Sequence, residues 1–403
     1  MTASRPNARG SNSTHLRIYN ERTILQHLRR AQKASKADLA RSARLTNAAV
    51  GAIIHSLEDE NLIEEVGKFH AGGRGQPATL LRPNPKGAFA LGLHIGPSSF
   101  ELVLIDFICR PVTPAQTHFY DGTNEEAAIN AILEAIQEQL TALTKKERMR
   151  LVGIGLTRSC INTARGTEET TVGEALRDTK DLIKSIENQL GLSVLYETEG
   201  LAAATAELFF GLGNTCSDFV YIHIGESIGG TLCIDNDIFR GHAGNAGDIS
   251  LLPTFPGNHA IKDNAKAGIT TLQTRASLAS LRDQLAAHLG VDATNTPLQD
   301  LMRLAPAQTE DWLDDCGTAL SFTIGTICNL LDVPVCIIDS KLGADFAGKI
   351  ASRLIAAADR PDQVPFRADV IVGSYGQNSS AVGAASLPMF EKYTPRQAIL
   401  TNT

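Results

Sequence analysis

The chain has 403 residues, 43% hydrophobic and 20% charged, which excludes a disordered polypeptide and predicts two or three domains of ~100–200 residues. No apolar run approaches the ~20 residues of a membrane span, and MTASRPNARGSNSTH at the start lacks the apolar core of a secretory signal, so a cytoplasmic protein is expected. The net charge of −7 conceals an asymmetry: residues 1–86 hold 14 Lys/Arg against 7 Asp/Glu and the remainder 23 against 37, a basic segment on an acidic body, as in a nucleic-acid-binding head on a domain with another task.

In chain order, residues 1–14 are polar and rich in Ser, Asn and Arg and read as a disordered arm. From Leu16, the residues Ile18, Ile24, Leu25 and Leu28 form a helical stripe. Ser35 with Asp38 three residues on is an N-cap with an acidic third position, and Leu39 and Ala40 face inward. After the break at 42–45, Thr46 caps a third helix with Val50, Ile53, Ile54 and Leu57 on one face. Residues 62–70 read as a strand, 71–77 as a Gly-rich turn and 78–82 as the return strand. Three helices and a hairpin make a winged helix-turn-helix over 15–82, whose third helix enters a major groove. The candidate DNA contacts follow. Thr46, Asn47 and Ala48 open that helix, where Asn reads adenine and Ala touches a thymine methyl. Ser35 and Lys36 open the second helix toward phosphate, with Arg44 in the turn between. Arg74 and Gln76 lie in the Gly-rich turn, with Arg74 placed for a narrow minor groove.

Residues 83–87, with two prolines, read as a linker. From 88 to 403, strands and helices alternate: strands AFALGLHIG and SFELVLID, a helix from about Asn124 to Lys145, strand LVGIGL, a helix over 174–191, strand SVLYETE and the apolar helix LAAATAELFFG. A repeat runs through this body. HIGPSSFELVLID at 94–106 and HIGESIGGTLCID at 223–235 match at six of 13 positions, which predicts a duplicated α/β unit with a ligand cleft between its halves. The seven cysteines show no C-x-C or C-x-x-C spacing and are expected as small buried hydrophobes.

The head, the segment GRGQPATLLRPNPKGAFALGLHIG and the block DFVYIHIGESIGGTLCIDNDIFRGHAGNAGDISLLP resemble the ROK family of repressors, open reading frames and kinases, from Leu16 to about Pro395. The likeness is to the xylose/N-acetylglucosamine repressor type. It implies an actin-like, ribonuclease-H-like body of two lobes that binds effector and oligomerises.

Departures from the family pattern exclude most of its chemistry. The kinases' Asp-x-Gly-x-Thr turn, which holds phosphates and magnesium, reads His94-Ile-Gly96-Pro-Ser98 here, although a hard cation needs a carboxylate. The Asn-Asp pair with the catalytic base reads Thr198-Glu199, and the Gly-Gly turn under the adenosine reads Asp339-Ser-Lys. The zinc-ligand His position is Ser250, the segment after it has no cysteine, and His259 is left alone. The expectation is therefore no metal, no cofactor and no catalytic residue. Thr198, Glu199, Asn245 and Asp248 are the candidate effector contacts, as carboxylates and amides grip sugar hydroxyls.

The reading is a DNA-binding regulator of repressor type, a homodimer or homotetramer, responding to a sugar or sugar derivative. The alternatives are an ATP-dependent sugar kinase with an added head, and a ligand-independent DNA-binding protein with a decayed pocket.

Overall fold

The computed structural model describes residues 13–69, 78–96, 99–120, 124–162, 169–171, 179–257, 268–292, 296–361, 363–396 and 398–401. The N-terminal part of the chain, to residue 83, holds α1 (Ser13–Ala31), β1 (Ala34–Ser35), α2 (Lys36–Ala43), α3 (Asn47–Asp59), β2 (Ile63–Phe69) and β3 (Ala78–Pro83). Its helices start where the sequence supplies caps. The Ser35 hydroxyl accepts from the Asp38 N–H and the Asp38 carboxylate accepts from Ser35 N–H and O–H, closing a capping box. Thr46 accepts from the Ala49 N–H to open α3. Between them Arg44 stands in the left-handed region, φ 55°, and turns the chain sharply. Ile24, Leu25, Leu28, Leu39, Val50 and Leu57 meet in one core.

Four local expectations are corrected. Ser13 and Thr14 belong to α1, because their polar side chains sit comfortably on its exposed first turn; the rest of the expected arm lies outside the described residues. Residues 83–87 are no slack linker. Pro83 ends β3 opposite Ile63, where no donor is needed of it, and 85–87 form a 3₁₀ turn pinned by Phe107 N–H to Pro85 O and Arg150 to Lys86 O. The two-residue β1, unforeseen because it is so short, pairs with β3. The long helix from Asn124 breaks after Leu140 and restarts with a new capping box at Thr144 and Glu147.

The first half of the body holds β4 (Phe89–Ile95), β5 (Ser99–Asp106), β6 (Gln116–Phe119), α4 (Glu125–Leu140), α5 (Lys145–Arg148), β7 (Leu151–Arg158), β8 (Cys160–Asn162), β9 (Glu169–Thr171), α6 (Thr179–Leu190), β10 (Val194–Tyr196) and α7 (Glu199–Phe209). Of the helix expected over 174–191, residues 179–190 are α6 and the start lies outside the described residues. The second half holds β11 (Phe219–Ile224), β12 (Ile228–Ile234), β13 (Asp237–Phe239), β14 (Pro253–Thr254), β15 (Thr270–Thr271), α8 (Gln273–Ala276), α9 (Leu278–Leu289), α10 (Leu298–Leu304), α11 (Pro306–Leu331), β16 (Val335–Ser340), α12 (Ala344–Ala358), β17 (Asp369–Val372), α13 (Ser379–Tyr393) and α14 (Ala398–Thr401).

The two main sheets have the same plan. One runs β6-β5-β4-β7-β10 and the other β13-β12-β11-β16-β17, each an antiparallel meander extended by two parallel strands. The repeated segments are the matching hairpins, β4–β5 and β11–β12. The connecting helices cross over: α7 follows the first sheet and packs on β11 and β12, while α13 follows the second and packs on β4 and β7. A Cβ on Gly155 of β7 would lie 1.7 Å from Ala384 O of α13, so bare backbone is required there. The core between the halves is continuous with that of the N-terminal segment, joining Leu28 and Val50 to Phe209, Phe219 and Met389.

Candidate functional site

Thr198, Glu199, Asn245 and Asp248 come together. With Arg158, His223 and the backbone of 228–231, they line a cavity of about 210 Å³ between the halves. Glu199 is the first residue of α7, and Thr198 before it makes no capping hydrogen bond, so its hydroxyl is left for the cavity. The glycines Gly200 and Gly229 let this turn approach β12: a Cβ on Gly200 would meet Gly229 Cα at 3.3 Å.

The buried chemistry centres on Glu199. His94 and His223, equivalent residues of the repeat, stand at the ends of β4 and β11 and are each 1% exposed. Their Nε2 atoms lie 3.6 and 3.3 Å from Glu199 Oε1. Lys341 reaches in from the end of β16, with Nζ 3.8 Å from Glu199 Oε1 and 3.5 Å from Glu101 Oε1. It also makes a short hydrogen bond to His94 Nε2.

The network fixes the tautomer of His94. The Thr157 hydroxyl reaches the Ser380 carbonyl, so it accepts from His94 Nδ1–H at 3.0 Å and leaves Nε2 to accept from the Lys341 ammonium. Burial and then Lys341 push His94 down to about 3, so it is neutral. Burial alone would raise the Glu199 carboxyl. The Lys341 ammonium and the His223 ring outweigh it and hold Glu199 well below the usual range, with Ser380 O–H donating to Oε1. His223 has neither ring nitrogen in an aligned hydrogen bond, which leaves a buried donor-acceptor pair beside the cavity.

Around the rim, Asn245 and Asp248 are exposed on the loop after β13. Ser250, at the expected zinc-ligand position, donates its O–H and N–H to Asp248 Oδ1 at 2.6 and 3.1 Å. The lone His259 lies outside the described residues. Asp339, where a bare glycine turn was the family pattern, is buried, bonded by the Ser340 N–H and the Tyr221 O–H, and raised by burial to about 6.

Sequence reasoning missed Arg158, His223 and Lys341 as cleft residues. His223 had a signal, since it shares its repeat position with His94. Lys341 had another, standing in a turn expected to be glycine.

The candidate DNA contacts are divided. Lys36, Arg44, Thr46, Asn47 and Ala48 are exposed together along the start of α2, the turn and the start of α3. Ser35 is 7% exposed with its hydroxyl and N–H both engaged by Asp38, so it positions α2 and presents nothing outward. Arg74 and Gln76 lie outside the described residues.

The sequence profile of the ROK family matches residues 90–389. The chain belongs to the ROK family. A xylose repressor of Bacillus spizizenii is 22% identical over 94% of this chain and 96% of its own length. The solved structure of a ROK family transcriptional regulator, a homologue of the E. coli MLC protein, superposes with TM-score 0.68 at 20% identity over 96% of this chain and all of its own. A ROK family glucokinase from Streptomyces griseus, in complex with glucose and AMPPNP, superposes with TM-score 0.56 at 18% identity, over 74% of this chain and 99% of its own. This ROK chain therefore shares its body fold with both regulators and kinases and its full length with the regulator. Among the described residues no helix is long and apolar enough to cross a membrane.

Proposed function

We propose that this chain is a DNA-binding transcriptional regulator of repressor type, whose winged helix-turn-helix head over 15–82 answers to a sugar or sugar derivative held without catalysis in the 88–403 body. The observation that carries the reading is one helix with a site at each end. The first residue of α7, Glu199, lies in the cleft; its last, Phe209, lies under Arg29 of α1 with the guanidinium carbon 3.4 Å from the ring centroid. Every residue of α7 is buried, so a shift at one end reaches the other.

The cleft supports a ligand of hydroxyl groups. Glu199 and Asp248 accept, Asn245 does both, and His223 has its Nδ1 without a partner. Phosphoryl transfer has little support: at the point where His94, Glu101 and Glu199 converge, the charge is already balanced by the Lys341 ammonium. The head supports DNA contact through Lys36, Arg44, Thr46, Asn47 and Ala48, with Arg74 and Gln76 of the Gly-rich sequence at 71–77 proposed as further contacts. One head reads few base pairs, so the reading includes a dimer or tetramer built by the body and an operator of two half-sites. Ligand would rotate the halves and change the spacing of the heads.

The test begins by selecting operator DNA from a random pool with the full-length protein. Asn47→Ala weakens specific binding by ~10–100-fold and leaves the effect of sugars on the body intact. Asp248→Ala keeps operator affinity and loses the sugar response. Sugar-dependent ADP release at ~1 s⁻¹ or faster would overturn the non-catalytic part of the reading.

A further inference from the structure

A second cavity, of about 400 Å³, lies where the N-terminal segment meets the body. Arg29, Gln32 and Lys33 of α1 and its C-terminal turn, Arg82 of β3, Arg110 after β5, and Phe209 with Phe210 at the end of α7 form its walls. Four lining residues are cationic and none is acidic. Arg82 is answered by Glu64 at 2.7 Å. The carboxylate closest in sequence to Arg110, Asp106, is turned into its own loop, accepting the backbone N–H groups of Ile108 and Arg110. Among the described residues, no carboxylate forms an ion pair with Arg29, Lys33 or Arg110.

Arg29 is the decisive residue. It is 8% exposed, and its Nη1 is buried with no hydrogen-bond partner. One face of the guanidinium is covered by the Phe209 ring, and the residue takes part in the cavity wall. Burial of a guanidinium without a counter-charge is costly, and a ring face offsets only part of that cost. Burial, then the neighbouring Arg30, lower its affinity for its proton well below the arginine range. An anion beside it would supply the missing counter-charge.

We infer that this junction is a binding site for a small phosphate-bearing anion, either inorganic phosphate or a phosphate monoester, gripped by Arg29 with Lys33 and Arg110. The guanidinium fork matches two phosphate oxygens, and a dianion balances the unpaired cations. The volume admits a small ester as well as the free ion. Nothing in this inference requires the cleft to bind sugar or the head to bind DNA. The walls come from both sides of the junction, so the anion would fix the N-terminal segment against the body.

The test is thermal unfolding of the full chain in phosphate-free buffer, titrated with inorganic phosphate, glycerol 3-phosphate, glycerol, and chloride at matched ionic strength. Phosphate or the ester is expected to raise Tm by ~2 °C or more at saturation, with no equal shift from chloride or glycerol. If the ester binds ~10-fold tighter than phosphate the natural ligand is an ester; equal binding assigns the free ion. Arg29→Met is expected to remove the shift. The double variant Lys33→Gln/Arg110→Gln, which changes only exposed side chains, is expected to weaken phosphate at least ~10-fold by calorimetry. A phosphate shift that chloride reproduces, or one that survives in both variants, overturns the site.

Discussion

The cleft and the junction both bury charge at the two ends of α7, and they handle it in opposite ways. In the cleft, Glu199 is enclosed by Lys341, His94, His223 and Ser380, so every charge has an answer within the chain. At the junction, Arg29 has an aromatic face and no counter-ion. The comparison teaches that burial alone does not mark a binding site. A compensated carboxylate can still accept from hydroxyl groups, but it needs no counter-ion from outside, and removing its partner is destabilising. An uncompensated one is stabilised by an opposite charge from outside the chain.

The sharpest way to break the contrast is to unbalance the cleft. Lys341→Met leaves the Glu199 carboxylate buried without its cation and is expected to lower unfolding free energy by about 3 kcal/mol. Equilibrium denaturation at pH 7.5 measures it. An unchanged midpoint would show that Lys341 is a bystander.

Asp339 gives a smaller effect of opposite sign. Burial raises its carboxyl to about 6, so between about pH 4 and 6 the folded chain holds a proton that the unfolded chain has released. The associated stability is present at the acid end and lost as pH rises through 6. Asp339→Asn should therefore stabilise by about 2 kcal/mol at pH 7.5, with the gain closing as pH falls from 6 to 4. His94 runs the other way in the same window: its folded pKa is depressed to about 3, so it removes stability as pH falls below its unfolded value. Comparing the variant with the parent at each pH cancels that background. A gain that is constant with pH contradicts the assignment.

The smallest effect is expected at the junction. In phosphate-free buffer, Arg29→Met loses the contact with Phe209 and also the cost of an unpaired guanidinium, so stability should stay within about 1 kcal/mol of the parent. A loss of about 3 kcal/mol in chemical denaturation would mean that Arg29 is already compensated and would collapse the comparison.

Legibility in the sequence followed the distance over which each feature is built. The capping box of Ser35 and Asp38, the stripe of Val50, Ile53 and Leu57, and the hairpins at 94–106 and 223–235 are set by neighbours a few residues away, and all were readable. The gathering of Thr198, Glu199, Asn245 and Asp248 was readable because two short motifs carry them. Lys341 was not, since its partners His94 and Glu101 lie some 240 residues earlier, and its role exists only once β16 is laid beside β11. Arg29 stands four residues after Leu25 on the apolar face of α1, but the ring that covers it, Phe209, lies 180 residues away and becomes its neighbour only in the fold. Ser35 shows the converse error: a hydroxyl at a helix start looks like a phosphate contact until its cap consumes it.

The length of α7 carries a consequence of its own. Successive residues of a helix are rotated by ~100° about its axis, so Glu199 and Phe209 point to their separate partners only at their present spacing in the chain. Inserting one alanine in the middle of α7 would leave Glu199 against His223 while turning Phe209 about a quarter of a revolution away from Arg29. Removing one would turn it the other way. The two sites are thus in register by phase as well as by contact, and the tolerance of this helix to insertion sets how far either site can drift without the other.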